Sequence, residues 1–231
     1  MYKSIFISDT HLGSLHNNSK KLFNLLENIE TEQLFLVGDI INNYASKEHP
    51  DIVKFIELIQ SKMWKVIYIS GNNEDDRCKP SPIIGELFLK ENYIYLSNQT
   101  LVYLEHGHRF HTQGTINKLL KQWVRYLKRF LFYTGKIRIT HRENDNSKVQ
   151  KESFYYRYIK PFAQKVLHHS FKSYMSIRTK EKGCSTIICG HFHIPEDSIV
   201  KGIRYLNCGD WVKNSSYIIE SRDGEFTLIT T

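Results

Sequence analysis

Short apolar runs alternate with amphipathic runs along much of the chain, and this alternation limits the possible folds more than any other feature. The runs at Lys3–Ser8, Gln33–Val37 and Lys65–Ser70 are rich in Ile, Val and Phe, as buried strands are. Between them, Ser19–Ile29 and Asp51–Ser61 repeat apolar residues at helical spacing. This order of strand and helix predicts a layered α/β domain.

Strands resume in the second half of the chain after a long helical stretch. The further predicted strands are Leu101–Glu105, Thr186–Cys189, Ile203–Asn207 and Ser216–Glu220. The Asp223-Gly224 pair between the final two apolar runs predicts a hairpin, so we expect antiparallel strands at the C-terminus. The sequence therefore predicts one domain over residues 1–231, with a helical insertion at about residues 115–182.

The insertion carries the excess of positive charge. Ile116–Lys182 contains 17 Lys and Arg against 4 Asp and Glu, whereas the rest of the chain contains 15 against 20. Ile116–Leu131 repeats apolar residues at helical spacing, which predicts an amphipathic helix. Its apolar stripe could pack on the domain, lie on a membrane or accompany nucleic-acid binding. Trp123 and Phe130 opposite a purely basic flank favour an anionic membrane surface over nucleic acid.

The sequence also bears on the compartment. We find no run of about 18 uncharged apolar residues and no signal-peptide pattern at the N-terminus. The four cysteines show no CxxC spacing and are too few for a disulfide scaffold in a chain of this length. These features predict a cytoplasmic protein, and they give no indication of its oligomeric state.

Polar clusters directly follow five of the predicted strands. They are Ser8-Asp9-Thr10-His11, Gly38-Asp39, Gly71-Asn72-Asn73-Glu74, Glu105-His106-Gly107-His108 and Gly190-His191-Phe192-His193. Because the carboxyl ends of strands in open α/β sheets form one rim where ligands bind, we expect these clusters to converge.

The clusters have the chemistry of a metal site. A single Asp-x-His is usually a capping pair and a single Gly-Asp is usually a turn, but recurrence after five strands favours metal ligands. Carboxylate, imidazole and amide donors suit Mn²⁺, Fe²⁺ or Zn²⁺, and seven of them suffice for two divalent ions that share a carboxylate. The seven candidates are Asp9, His11, Asp39, Asn72, His106, His191 and His193.

The order of these motifs resembles that of the calcineurin-like metallophosphoesterases over nearly the whole chain. The resemblance implies a layered metallophosphoesterase sandwich, with the basic insertion as a lid, and two-metal hydrolysis of a phosphoric ester or anhydride. It implies that Asp39 bridges two ions, and that Asp39, Asn72, Asn73 and His106 stand at the catalytic positions. By the family's pattern one ion is held by Asp9, His11 and His193, and the other by Asn72, His106 and His191.

The chain departs from the family pattern at two positions. The family usually has Gly-Asn-His-Asp, whose His assists at the phosphoryl group, whereas here Asn73 is followed by Glu74. A second acid often follows Gly-Asp-x-x, and this chain has Asn42. The ligand positions are thus retained, while the protonating or charge-stabilising side chain is not.

Within the family, the UDP-2,3-diacylglucosamine hydrolases of lipid A synthesis are the most similar group. They also lack the His of Gly-Asn-His-Asp, carry a helical insertion before Gly-His-x-His, and share a stretch like Gly202–Trp211. This resemblance implies cleavage of a lipid-linked nucleotide sugar to UMP and 2,3-diacylglucosamine 1-phosphate. It implies Mn²⁺ as the ion and a peripheral location on the cytoplasmic face of the inner membrane.

Two other functions remain open at this point. The same metals could serve a phosphodiesterase or nuclease that acts on nucleic acid or nucleotides, with the basic segment along the phosphates. Alternatively, Asn73 and Asn42 could belong to a catalytically weak metal-binding module that acts through contacts.

Overall fold

The computed structural model describes residues 1–15, 17–42, 45–46, 48–74, 90–111, 122, 126 and 160–231. The helices in these residues are α1 (Ser19–Asn28), α2 (Pro50–Ser61) and α3 (Lys160–Glu181), with a short 3-10 helix at His108–His111. The strands are β1 (Tyr2–Ile7), β2 (Thr31–Val37), β3 (Lys65–Ile69), β4 (Tyr93–Ser97), β5 (Thr100–Leu104), β6 (Thr186–Cys189), β7 (Glu196–Val200), β8 (Ile203–Asn207), β9 (Ser216–Glu220) and β10 (Phe226–Thr230).

These strands form two mixed sheets of five strands each. The first has the order β10-β9-β1-β2-β3 and the second the order β4-β5-β6-β8-β7. β1, β2 and β3 are parallel, as are β5, β6 and β8, while β9 and β10 form the antiparallel pair expected at the C-terminus. The predicted α/β sandwich is confirmed. Because parallel neighbours end at the same edge of a sheet, each sheet brings three strand-end loops together.

Two strands were not predicted from the sequence. β4 alternates buried or partly buried residues with exposed ones over only five positions, and β7 contains Glu196 and Asp197, which are uncommon in strands. Both are edge strands, and each is paired antiparallel with a predicted strand. Hydrogen bonding to the neighbouring strand therefore outweighs the weak intrinsic strand propensity of these two segments.

Aromatic and aliphatic side chains fill the space between the two sheets. Phe6 and Phe35 stack with ring centroids 4.6 Å apart, and Tyr95 and Phe226 meet Phe6 edge-on. A second apolar cluster lies under α1 and α2 on the other face of the first sheet. The burial of both sheet faces explains the nearly continuous apolar runs of the central strands.

The described residues fall into two compact units, Met1–His108 with Met175–Thr231, and Arg109–Tyr174. In the second unit Phe110 packs edge-on against Phe171, with ring centroids 5.4 Å apart. Most of the predicted insertion, including its amphipathic stripe, lies outside the described residues; Gln122 and Tyr126 are helical. The single domain with an insertion at about residues 115–182 stays a prediction.

Two further findings concern the segments that the structure describes. No helix in them is both long and apolar enough to cross a membrane. Cys184, Cys189 and Cys208 are buried free thiols.

A buried carboxylate ties the two sheets together. Glu220 of β9 is fully buried and accepts hydrogen bonds from the hydroxyls of Tyr95, at 2.6 Å, and of Ser97, both on β4. Lys3 Nζ lies 3.0 Å from the same carboxylate. Because a buried charge is costly unless it is paired and hydrogen-bonded, these contacts are expected to stabilise the sandwich.

We expect Tyr95→Phe to lower the free energy of unfolding by about 1.5–3 kcal/mol, the usual worth of a hydrogen bond to a charged group. The ring packing is kept, so the loss reports on the hydroxyl alone. Urea unfolding measures it, with Tyr93→Phe on the same strand as the control. Equal effects of the two substitutions would contradict a specific role for Tyr95.

Candidate metal centre

Loops from both sheets bring the predicted ligands to one place. Asp9 and His11 follow β1, Asp39 follows β2, His106 follows β5, and His193 follows β6. Two overlapping groups have ligand atoms that all lie within 4.8 Å of one another: Asp9, His11 and His193, and Asp9, Asp39 and His106. The convergence expected from the strand order is thus present in the described residues.

The backbone at these positions is unusual. Five of the seven predicted ligands are non-glycine residues with positive φ, a conformation that L-residues rarely adopt. They are Asp9 (52°), His11 (45°), Asp39 (53°), His191 (71°) and His193 (58°). Strain of this kind persists only where surrounding contacts impose it, and it concentrates at functional sites.

Asp9 is fully buried, and its two oxygens face different partners. Oδ2 accepts hydrogen bonds from Ser8 Oγ at 2.6 Å and from the backbone N–H of His191 at 2.9 Å. Oδ1 faces three imidazoles, with His193 Nε2 at 3.2 Å, His11 Nε2 at 3.9 Å and His106 Nε2 at 4.0 Å. One oxygen therefore fixes the carboxylate, while the other is offered to the centre of the cluster.

The arrangement fits a divalent cation. Asp9 Oδ1 and His106 Nε2 are buried and have no hydrogen-bond partner among the described residues. Such atoms are costly to bury unless something binds them, and a carboxylate oxygen facing imidazole nitrogens is a common donor set for a divalent metal. The residues present therefore fit the metal that the sequence predicts.

Asp39 lies between the two groups of ligands. Its Oδ1 is 3.6 Å from His106 Nε2, and its Oδ2 is 3.9 Å from His11 Nε2. The backbone N–H of Asn73 donates to Oδ1 at 2.9 Å. Asp9 is the residue common to both groups, while Asp39 reaches a histidine of each. The bridging role of Asp39 stays a prediction.

The remaining two predicted ligands lie together at the exposed side of the site. His191 Nδ1 is 3.1 Å from Asn72 Oδ1, and the His191 ring contacts the His106 ring with centroids 5.3 Å apart. Two donor atoms at this separation could bind one ion. The structure thus brings all seven predicted ligands into one cluster, and their individual roles remain proposals.

Asn73, which stands where the family usually has His, contacts a ligand. Its Nδ2 lies 3.0 Å from His11 Nδ1, while His11 Nε2 faces Asp9 and Asp39. A metal-binding imidazole usually has its other nitrogen held by an outer partner, which fixes the ring. The geometry places Asn73 as that partner, since a half-turn of its amide brings Oδ1 to the Nδ1 proton.

Glu74 organises the loop instead of facing the metal centre. Its carboxylate accepts the backbone N–H groups of Asp39, Ile40 and Gly71 at 2.8–2.9 Å, and the Tyr68 hydroxyl at 2.8 Å. The acid at this position therefore joins the ends of β2 and β3 and sets the direction of Asp39.

Sequence reasoning noted Gly202–Trp211 only as a resemblance and did not place its end, the loop after β8, at the site, where it supports two of the ligand loops. Trp211 N donates to the Asp9 carbonyl at 3.1 Å, and Asn207 Nδ2 donates to the Gly190 carbonyl at 3.0 Å. Asp210 Oδ2 lies 3.0 Å from His193 Nδ1. The available signal was that β8, like the five strands already considered, is followed by polar residues, here Gly209-Asp210 after the terminal Asn207.

The carboxylates of the site strongly affect the titration of their neighbours. Burial lowers the pKa of His193, but the nearby carboxylates of Asp210 and Asp9 outweigh it and raise the pKa to about 10. Burial would raise the pKa of Asp9, yet His106, His193 and Ser8 hold it well below its usual range. Without metal, His193 therefore carries a proton at neutral pH, and a metal ion must displace it.

A two-sheet α/β sandwich with clustered carboxylate, imidazole and amide donors at its strand ends is suited to metal-dependent hydrolysis. The profile of the calcineurin-like phosphoesterases matches residues 2–195, so the chain belongs to that family and is a metal-dependent phosphoesterase. No curated protein matches the chain by sequence.

Solved structures of similar fold cover nearly the full length. An archaeal phosphodiesterase shares 16% identity over 99% of both chains, with a TM-score of 0.51. Yfce, a phosphoesterase from E. coli, shares 15% identity over 98% of this chain and 97% of its own, with a TM-score of 0.48. Vps29 from Entamoeba histolytica, complexed with Zn²⁺, shares 13% over 99% and 97%, with a TM-score of 0.47. The likeness to the archaeal phosphodiesterase shows a common fold.

We expect Mn²⁺ affinity to rise between pH 6.5 and 8.5, because metal and proton compete for His193, whose pKa in the metal-free protein is about 10. One competing proton gives at most about a tenfold gain per pH unit. Titration calorimetry in two buffers of different ionisation enthalpy would show proton release on binding, and His193→Ala should reduce it. An affinity independent of pH, without proton release, would contradict this account.

Asn72→Ala is expected to lower kcat more than Asn73→Ala, since Asn72 is a predicted ligand and Asn73 supports His11 from outside. Loss of an outer partner usually costs about 10–100-fold, and loss of a ligand should cost more. Hydrolysis of bis(p-nitrophenyl) phosphate at saturating Mn²⁺ measures both, with Asn98→Ala in the β4–β5 turn as the control. A larger loss at Asn73 would instead indicate direct contact with the substrate.

Proposed function

We propose that the chain hydrolyses the pyrophosphate bond of UDP-2,3-diacylglucosamine to UMP and 2,3-diacylglucosamine 1-phosphate, with Mn²⁺ as the working ion. The observation that carries this proposal is the position of Gly202–Trp211, the stretch that resembles hydrolases of this substrate. Its last two residues contact the candidate ligands, because Trp211 N donates to the Asp9 carbonyl and Asp210 faces His193. The stretch that resembles the subgroup therefore adjoins the centre where chemistry is expected.

The departure at Asn73 also supports a phosphoric anhydride as the substrate. An alkoxide leaving group needs a proton from a nearby acid, whereas a leaving phosphate monoester, whose second pKa is about 6, leaves without one near neutral pH. Asn73 cannot donate a proton as an acid, and its side chain is already in contact with His11. Loss of the family's histidine is thus expected to slow pyrophosphate cleavage less than hydrolysis of an ester with an alkoxide leaving group.

In this proposal the protein residues hold and orient the reacting groups. Bound divalent ions would supply positive charge at the phosphoryl oxygens and acidify the attacking water. One ion would be held by Asp9, His11 and His193, and the other by Asn72, His106 and His191, with Asp39 shared between them. Ser8, Asn73 and the backbone N–H of His191 keep the two carboxylates from rotating.

The proposed partner is an anionic membrane surface, reached through the basic insertion, and the proposed location is the cytoplasmic face of the inner membrane. A diacylated substrate stays in the bilayer, so an enzyme that uses it gains from a surface-binding segment. Each basic residue near such a surface contributes about 1 kcal/mol, and Ile116–Lys182 has a large basic excess. The apolar stripe at Ile116–Leu131 would lie in the headgroup region.

The substrate is tested by turnover of UDP-2,3-diacylglucosamine in mixed micelles, with UMP measured by chromatography. Matched reactions use UDP-N-acetylglucosamine, which lacks the two acyl chains, and a single-stranded oligonucleotide. We expect UMP from the diacylated substrate and much slower turnover of the other two. Faster cleavage of the oligonucleotide would replace this proposal with a nuclease, and turnover of none would favour a catalytically weak metal-binding module.

The membrane contact is tested separately with Trp123→Ser combined with Phe130→Ser, which removes apolar area from the predicted stripe and keeps every charge. We expect weaker binding to anionic vesicles and slower turnover of the diacylated substrate, with cleavage of bis(p-nitrophenyl) phosphate unchanged. Tyr126→Ser is the matched control, because Tyr126 lies off the predicted stripe and is exposed. Unchanged vesicle binding by the folded double variant would show that the stripe does not contact lipid.

A further inference from the structure

His193 lies between two carboxylates. Its Nε2 is 3.2 Å from Asp9 Oδ1, on the side of the proposed metal, and its Nδ1 is 3.0 Å from Asp210 Oδ2. The other inward-facing histidines have neutral partners at Nδ1: Asn73 for His11 and the Val37 carbonyl for His106. A charged outer partner therefore distinguishes His193 from these two rings.

Asp210 is itself held firmly. It is 1% exposed, and its Oδ1 accepts the backbone N–H groups of Val212, Lys213 and Asn214 at 2.8–3.2 Å. Asn214 Nδ2 also donates to the His193 carbonyl at 2.8 Å. Because one oxygen of Asp210 is fixed by three backbone groups, the other is directed at the His193 ring.

We propose that Asp210 is a positioning residue for the ion held by Asp9, His11 and His193. It accepts the Nδ1 proton of His193, which leaves the Nε2 lone pair directed into the site and increases the basicity of that nitrogen. Outer-shell carboxylates act in this way on metal-bound histidines. The inference rests on the proposed ligand set and not on the proposed substrate.

The effect is confined to one of the two metal positions. Asp210 contacts His193, whereas Asn72 faces His191, a ligand proposed for the other ion. Loss of the Asp210 carboxylate should therefore weaken one binding step and leave the second nearly unchanged. A purely structural role for the loop after β8 would affect both steps, because this loop also contacts Asp9 and Gly190.

The test is Mn²⁺ titration by calorimetry of the full chain bearing Asp210→Asn. An asparagine keeps an oxygen for the three backbone N–H groups, as capping residues do, but it removes the charge beside His193. We expect one of two binding steps to weaken by about 10–100-fold, and it should be the step that His193→Ala abolishes. The step abolished by His191→Ala should remain.

Asp197→Asn provides a matched control, since Asp197 pairs with Arg204 on the second sheet and should change neither step. Failure of both histidine variants to remove a step would overturn the ligand set, and the inference with it. Unchanged binding by Asp210→Asn, or equal weakening of both steps, would overturn the role of Asp210 alone. These experiments measure Mn²⁺ binding and not turnover of the lipid substrate. A wrong substrate assignment would therefore leave their outcome unchanged.

A measurement on the unaltered protein covers the case in which Asp210→Asn does not fold. Nitrogen-15 NMR of the histidine rings in the Zn²⁺-loaded chain should show His193 with a proton on Nδ1 and metal at Nε2. Metal at Nδ1, or an Nδ1 without a proton, would overturn the proposal.

Discussion

The site depends on two buried carboxylates, Asp9 and Asp39, whose negative charge the surrounding groups must compensate. Burying an ionised carboxylate costs several kcal/mol unless hydrogen bonds and opposite charge compensate. Hydrogen bonds from Ser8, His191 and Asn73 satisfy part of this requirement. The oxygen of Asp9 that faces the histidines has no hydrogen-bond partner among the described residues. A bound divalent cation would supply the missing positive charge at this oxygen.

The close approach of the loops around these carboxylates explains the glycines of the motifs. A Cβ at Gly190 would collide with Ser8 Oγ and Asp9 Oδ2, and a Cβ at Gly38 would lie 2.5 Å from the His106 ring. The ligand loops can therefore approach one another only where a side chain is absent. Close approach, together with the left-handed backbone at five ligands, places donors from five strands around one small volume.

The strands that carry the site were predictable because buried strands have a strong apolar pattern and their ends carry polar residues. Other features, the edge strand β4 among them, were not. β7 contains two acids and depends on pairing with β8, and the role of Asp210 depends on β8 lying beside β6. From sequence, Asn73 indicated only the loss of a family histidine, whereas in the fold it contacts His11. Such contacts join residues distant in sequence, so no local pattern encodes them.

The central claim is that these loops form a two-metal site. The most direct measurement is a crystal structure of the Mn²⁺-loaded protein with anomalous diffraction at the manganese edge. The account predicts two manganese peaks about 3.5–4 Å apart, one against Asp9, His11 and His193 and the other against Asn72, His106 and His191, with Asp39 in contact with both. A single peak, or manganese bound away from these side chains, would contradict it.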